Sequence, residues 1–176
     1  NAGTATVTGI FTLDGTNTTN SRKSNLIITT GTFNANGGIL VNGITASTKA
    51  INMTGTSSVL NVGGSGISGA SAATFTRGSG TSIVNYNAPG DQANIGNYTY
   101  FNLTTSGSGT KTLLGTTIVN GTLKVTAGSV LALSTFNITP AITVLECGAA
   151  TGSSITGTGS LLLAGNLTVN DAAGAG

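Results

Sequence analysis

The chain has no histidine and no tryptophan, and only one cysteine, one methionine and two prolines in 176 residues. Charged side chains make up 6% of it, against roughly a quarter in an ordinary soluble domain. Each shortage excludes something. Without histidine, few groups remain that titrate near neutrality or bind a metal, and no cofactor is expected. A single cysteine rules out an intramolecular disulfide. In Val144-Leu145-Glu146-Cys147 that thiol reads as a small buried hydrophobe. The rival roles are an intermolecular bridge or a nucleophile, and a nucleophile has no evident base. No apolar run approaches the ~18 residues of a membrane helix, so membrane insertion is not expected. No basic-then-apolar leader opens the chain. Residues 1–176 read as one domain and as a segment of a longer repeat protein.

Six basic and four acidic residues give a net charge of +2 and a pI near 8.9. Arg22 and Lys23 are adjacent, while Lys49, Arg77, Lys111 and Lys124 are scattered. A nucleic-acid footprint needs clustered charge and stacking aromatics, so no nucleic-acid partner is expected. The acids are Asp14, Asp91, Glu146 and Asp171. Lyases and hydrolases need carboxylates brought together, as a pair or around Ca²⁺. In a stack of short coils, Asp14, Asp91 and Asp171 would each be about four coils from the next, or ~19 Å. The expectation is a protein that is not an enzyme.

What the chain does have is 28 glycines, abundant Thr, Ser and Asn, and Val, Ile and Leu in alternation. Disorder goes with low hydrophobicity and high net charge, and neither holds. Period-2 alternation marks strands with one buried face, and Gly and Asn mark turns. Helix is disfavoured by the composition and by the lack of an i, i+3, i+4 stripe.

A short motif, apolar-x-Gly-x-apolar-x-apolar, recurs as VTGIFTL from Val7, ANGGILV from Ala35, VNGTLKV from Val119 and LAGNLTV from Leu163. Its starts differ by 28, 84 and 44, so the period is not strict. A second motif places an apolar strand after a small-residue turn, as in TGTSSVLNV (54–62), TAGSVLAL (126–133) and TGTGSLLLA (156–164). Phe101 and Leu103 align with Leu123 and Val125 at a spacing of 22, and Leu113 with Leu133 at 20. Strands this short, between Gly bends, suit the sides of a coil better than a sandwich. The predicted fold is an all-β parallel β-solenoid, a right-handed β-helix by the rule for parallel crossovers. It has about twenty residues per three-sided coil and about eight coils, a rod of roughly 40 Å at ~4.8 Å per coil. The competing fold is an antiparallel sandwich with two-residue turns at Asn36-Gly37, Asn42-Gly43 and Asn120-Gly121. Stacked coils predict ladders of Thr, Asn and Ser outside and an apolar column inside.

The stretch from Tyr86 to Thr139 resembles the β-strand-repeat segments of large secreted proteins of Bacteroidota. The resemblance lies in Tyr100-Phe101-Asn102-Leu103-Thr104, in Ser106-Gly107-Ser108-Gly109-Thr110-Lys111-Thr112-Leu113, and in Val119-Asn120-Gly121-Thr122-Leu123-Lys124-Val125. It implies export, by type IX secretion, and display at the cell surface as an adhesin or filament. It carries no catalytic residues.

The longest break in the alternation is NYNAPGDQANIGN, Asn85 to Asn97. Tyr86, Asp91, Gln92, Tyr98 and Tyr100 in and beside it are candidates for a glycan- or partner-binding platform. The plain alternative is an ordinary loop whose aromatics cover the solenoid. Seven N-x-[ST] matches are expected from composition alone. An ice-binding face needs T-x-T in register over several coils, and only Thr4-Ala5-Thr6-Val7-Thr8 offers it cleanly. A solenoid has two open ends. No cap is legible at either, so the expected partners are flanking repeats or other copies, end to end, and glycans or surfaces. The overall expectation is an extracellular structural or adhesive rod, with a carbohydrate-binding module, an ice binder and a lyase as successive rivals.

Overall fold

The computed structural model describes residues 2–15, 23–43, 49–69, 73–126, 128–147 and 153–169. These form strands and turns without a helix, and every strand pair among them is parallel. Parallel neighbours exclude the sandwich. The chain is a β-solenoid.

Each coil has three sides. The first side stacks β1 (Thr4–Val7), β4 (Thr30–Ala35), β7 (Ser57–Val62), β10 (Ile83–Tyr86), β13 (Asn102–Thr105) and β16 (Thr122–Val125). It continues into the ends of β18 (Ile138–Cys147) and β20 (Leu161–Val169). The second side holds β2 (Phe11–Gly15), β5 (Ile39–Gly43) and β8 (Ile67–Ser68), then β11 (Gln92–Ile95), β14 (Gly109–Leu113), β17 (Ser129–Ala132) and β19 (Ser154–Thr156). The third holds β3 (Ser24–Ile27), β6 (Lys49–Asn52) and β9 (Thr74–Thr76), then β12 (Thr99–Tyr100), β15 (Thr117–Val119) and the start of β18.

One register column threads the first side from end to end: Val7, Ala35, Val62, Tyr86, Thr105, Val125, Cys147 and Val169. That makes eight rungs. Read as differences in sequence number, the steps are 28, 27, 24, 19, 20, 22 and 22, a mean of about 23. The predicted twenty holds from the fourth rung on. The earlier coils have more residues between their strands. More sequence positions separate Gly15 from Ser24 and Gly43 from Lys49 than Ile95 from Thr99 or Leu113 from Thr117, and more separate Asn52 from Ser57 and Thr76 from Ile83 than Tyr100 from Asn102.

The register also corrects two alignments. Leu103 lies beside Leu123, not Val125, so that pairing is two positions out of step. The Ala35 and Val119 copies of the glycine motif sit at different corners. The first leads from β4 into β5 and the second from β15 into β16, so their spacing of 84 is not a count of coils. The Val7 and Ala35 copies do stack, with Phe11 beside Ile39 and Leu13 beside Val41.

Alternation places every second side chain inside. Leu60, Val84, Leu103, Leu123 and Leu145 form one buried column, and Ile39, Ile67, Ile95, Leu113 and Leu133 line the second side. Corners are closed by i to i+3 turns, such as the Gly38 amide to the Ala35 carbonyl and the Gly66 amide to the Gly63 carbonyl. Gly38 and Gly66 both have φ of +92°. A Cβ on Gly38 would sit 2.9 Å from the Gly66 carbonyl oxygen of the next coil, so only glycine lets these corners stack.

The outward ladder is present. Thr6, Asn34, Asn61 and Asn85 lie in register. The Asn34 amide donates to Thr6 Oγ1 (3.0 Å), Asn61 to Asn34 Oδ1 (2.8 Å) and Asn85 to Asn61 Oδ1 (3.1 Å), and Ser106 Oγ donates to Asn85 Oδ1 (2.8 Å).

Candidate functional site at the seam between coils

The stack is not uniform. Between the third and fourth rungs the first side runs on unbroken from β7 to β10. On the second side, among the described residues, a single bridge joins Gly66, just before β8, to Asn94 of β11. On the third side no ladder joins β9 to β12 among the described residues. The change of coil length falls at this point, so strands on two sides lose their partners.

Aromatic side chains fill the seam. Phe75 of β9 stacks on Tyr98 at 5.0 Å and 17°, and meets Tyr100 at 5.4 Å. Tyr86 and Tyr100 are fully buried, and their hydroxyls are 2.9 Å apart. The Tyr100 hydroxyl donates to the Gly96 carbonyl at 2.6 Å, and the Gly96 amide donates to the Tyr86 oxygen at 3.1 Å. The Tyr86 proton is thus left for Tyr100, and the three groups close a ring of hydrogen bonds. Burial pushes both phenols well above the usual tyrosine range. Tyr98, half-buried, is raised for the same reason, and the Ala73 backbone opposes the rise.

Of the five candidate residues, three are therefore inside. Tyr86, Tyr100 and Gln92 have no exposed surface. The Gln92 amide donates to the Val62 and Gly63 carbonyls (2.9 and 2.8 Å), and its oxygen accepts from the Ala88 amide (3.4 Å). Tyr86 turns inward because Val84 and Tyr86 continue the buried alternation of β10. Asp91 is exposed and accepts from the Thr110 amide at 2.8 Å. Only Asp91 and part of Tyr98 reach solvent, so the five do not assemble a surface platform.

Two buried lysines are not signalled by the sequence. Lys111, in register with Gln92, is buried and gives its ammonium to the carbonyls of Ala88, Gly90 and Ser108 at 2.7, 2.5 and 2.8 Å. Burial lowers its pKa, and Asp91 nearby works against that. Lys49 Nζ is buried with no hydrogen-bond partner among the described residues. An apolar-x-apolar scan passes over both, because each stands at an inward position that the pattern assigns to a hydrophobe.

Asp14 and Asp91 lie on the first and fourth rungs, three steps or about 14 Å apart along the rod axis at ~4.8 Å per step, and at opposite ends of the second side. A uniform short coil predicts four steps, and the long early coils account for the difference. Asp171 and the side chains of Glu146 and Cys147 lie outside the described residues. Among the described residues no three of Cys, Asp and Glu come together, and no helix is long and apolar enough to cross a membrane.

Outside the aromatic plug, the seam leaves a groove of about 310 Å³, bordered by Ile67 and Ser68 of the third coil, Asn94, Asn97 and Tyr98 of the fourth, and Leu114 of the fifth. No family model, curated protein or solved structure matches the chain. Fold and site thus define the class, a three-sided parallel β-solenoid with an aromatic seam.

Proposed function

We propose that the chain is a stretch of a non-enzymatic, extracellular rod that forms or extends a fibre at the cell surface, as a structural or adhesive element. The observation that carries this is the eight-rung column from Val7 to Val169, whose outermost described strands are paired on one side only. A parallel edge offers a row of backbone donors and acceptors to any strand that fits. More solenoid satisfies that row, as the next stretch of a longer chain or as a second copy head to tail, which gives a filament rather than a closed ring. The Thr, Asn and Ser surface and the scarcity of charge support a mechanical role. The resemblance to secreted Bacteroidota repeats supports display outside the cell.

Negative-stain microscopy and light scattering over a concentration series test it. The amides of Thr32 in β4 and of Asn36 just after it donate to the Gly3 and Val7 carbonyls, so by alternation Thr4 and Thr6 direct their backbone groups to the open edge. Rods that lengthen with concentration are expected, and Thr4→Pro, which removes an edge donor, shortens them. A monodisperse monomer at every concentration contradicts assembly by stacked copies.

A carbohydrate-binding role is the second reading, and the seam groove favours it.

A further inference from the structure

We infer that the seam groove is a binding site for an uncharged, hydroxyl-rich sugar ring. The site lies on the flank of the rod, apart from the coil ends that assembly would use, so it goes beyond the fibre reading and stands or falls separately. Several observations converge on it.

The groove exists because the coil shortens. Among the described residues, ladder pairing between the third and fourth coils is reduced to one bridge on the second side, and no described strand closes the space between them. Its volume, about 310 Å³, is at the lower end of small-molecule sites and suits one or two pyranose rings. Its walls mix the two kinds of surface that a sugar presents. The Asn94 and Asn97 amides and the Ser68 hydroxyl offer both donors and acceptors for ring hydroxyls. Ile67, Leu114 and the uncovered part of Tyr98 offer apolar surface for ring C–H groups. Leu114 is 48% exposed, a large apolar side chain at the mouth that no described residue covers.

Charge selects among carbohydrates. None of the described side chains that line the groove is charged, and a tyrosine phenol such as that of Tyr98 is neutral at neutral pH. A uronic acid or sulfated sugar would have to leave water without a counter-charge, whereas a neutral sugar would not. The site is also pre-formed. Tyr98 is fixed by its stack on Phe75, and Gly96 lies so close that a Cβ there would fall 2.3 Å from the ring. Little ordering is left to oppose binding.

Isothermal titration calorimetry tests the assignment, with cellotetraose, maltotetraose and mannotetraose as uncharged probes and trigalacturonate as the charged one. At least one uncharged probe is expected to bind, and trigalacturonate at least tenfold more weakly. Ser68→Phe, placed on the groove wall at a position outside the core, is expected to abolish binding. Asn94→Ala with Asn97→Ala is expected to weaken it at least tenfold, with the far-UV spectrum unchanged in both variants. No heat with any uncharged probe up to about 10 mM overturns the site. So does a preference for trigalacturonate, or binding that survives Ser68→Phe. Failure of the fibre reading would appear in microscopy and leave these titrations unaffected.

Discussion

At the scale of single residues, the seam is held by polar groups that satisfy one another out of water. Tyr86, Tyr100 and the Gly96 peptide form a closed ring in which every proton has one acceptor. Removing one hydroxyl orphans a buried partner, at a cost of about 1–3 kcal/mol. Tyr86→Phe and Tyr100→Phe are each expected to lower the urea midpoint. The double variant should cost less than the sum, because the second change removes a group already orphaned. The ring also sets a pH dependence. Both phenols are raised by burial. In the unfolded chain they ionise near pH 10, while in the folded chain they keep their protons. Between those limits the folded state binds more protons, so stability falls as pH rises. Urea midpoints are expected to hold up to about pH 9.5 and then drop. The Tyr86→Phe, Tyr100→Phe variant should show a shallower drop, and an equal slope would contradict the account.

The inward turn of Tyr86 is legible in principle, since Val84-Asn85-Tyr86 keeps the alternation of Leu60-Asn61-Val62. It is masked because aromatics beside Pro89-Gly90-Asp91 read as a loop. Lys111 is not legible. Only the placement of the Ala88, Gly90 and Ser108 carbonyls around one point explains a cation inside.

At the scale of elements, strand pairing and side-chain ladders report the same register. Asn61 gives one amide bond to Asn34 and receives one from Asn85, so it ties three coils together. Asn61→Ala removes both bonds while leaving the buried Leu60 and Val62 in place. It is expected to cost about 1–2 kcal/mol in urea unfolding, and Asn34→Ala and Asn85→Ala should not add fully to it. Full additivity would mean that the ladder is decorative. The solenoid itself is readable, because Val7-x-Gly and Ala35-x-Gly repeat at the true step of 28. The coil length of the later half is readable from Leu113 and Leu133. The partners are less so. Leu, Val and Phe are interchangeable inside such a coil, and sliding Phe101-Leu103 by two positions keeps every inward position apolar. Hydrogen bonds such as Gly121 to the Phe101 carbonyl settle what hydrophobicity leaves degenerate.

At the scale of the whole molecule, the rod is two stacks of different coil length joined through one continuous side and an aromatic plug. In such a quasi-one-dimensional array each coil depends on its neighbours, so the join is both the place where cohesion drops and the place where a groove opens. The candidate site is hidden from the sequence for that reason. Ser68, Asn94 and Leu114 lie far apart in the chain and meet only because of a change in period.

Everything rests on the coils running in one direction in register, and backbone NOEs across neighbouring strands test that most directly. Parallel stacking predicts that contacts from β7 to β10 keep a constant sequence offset of 24, from Val59 with Ile83 through Val62 with Tyr86, and that those from β10 to β13 keep an offset of 19. Contacts in which one residue number rises as the other falls would mean antiparallel strands, and would contradict the rod, its ladders and its seam together.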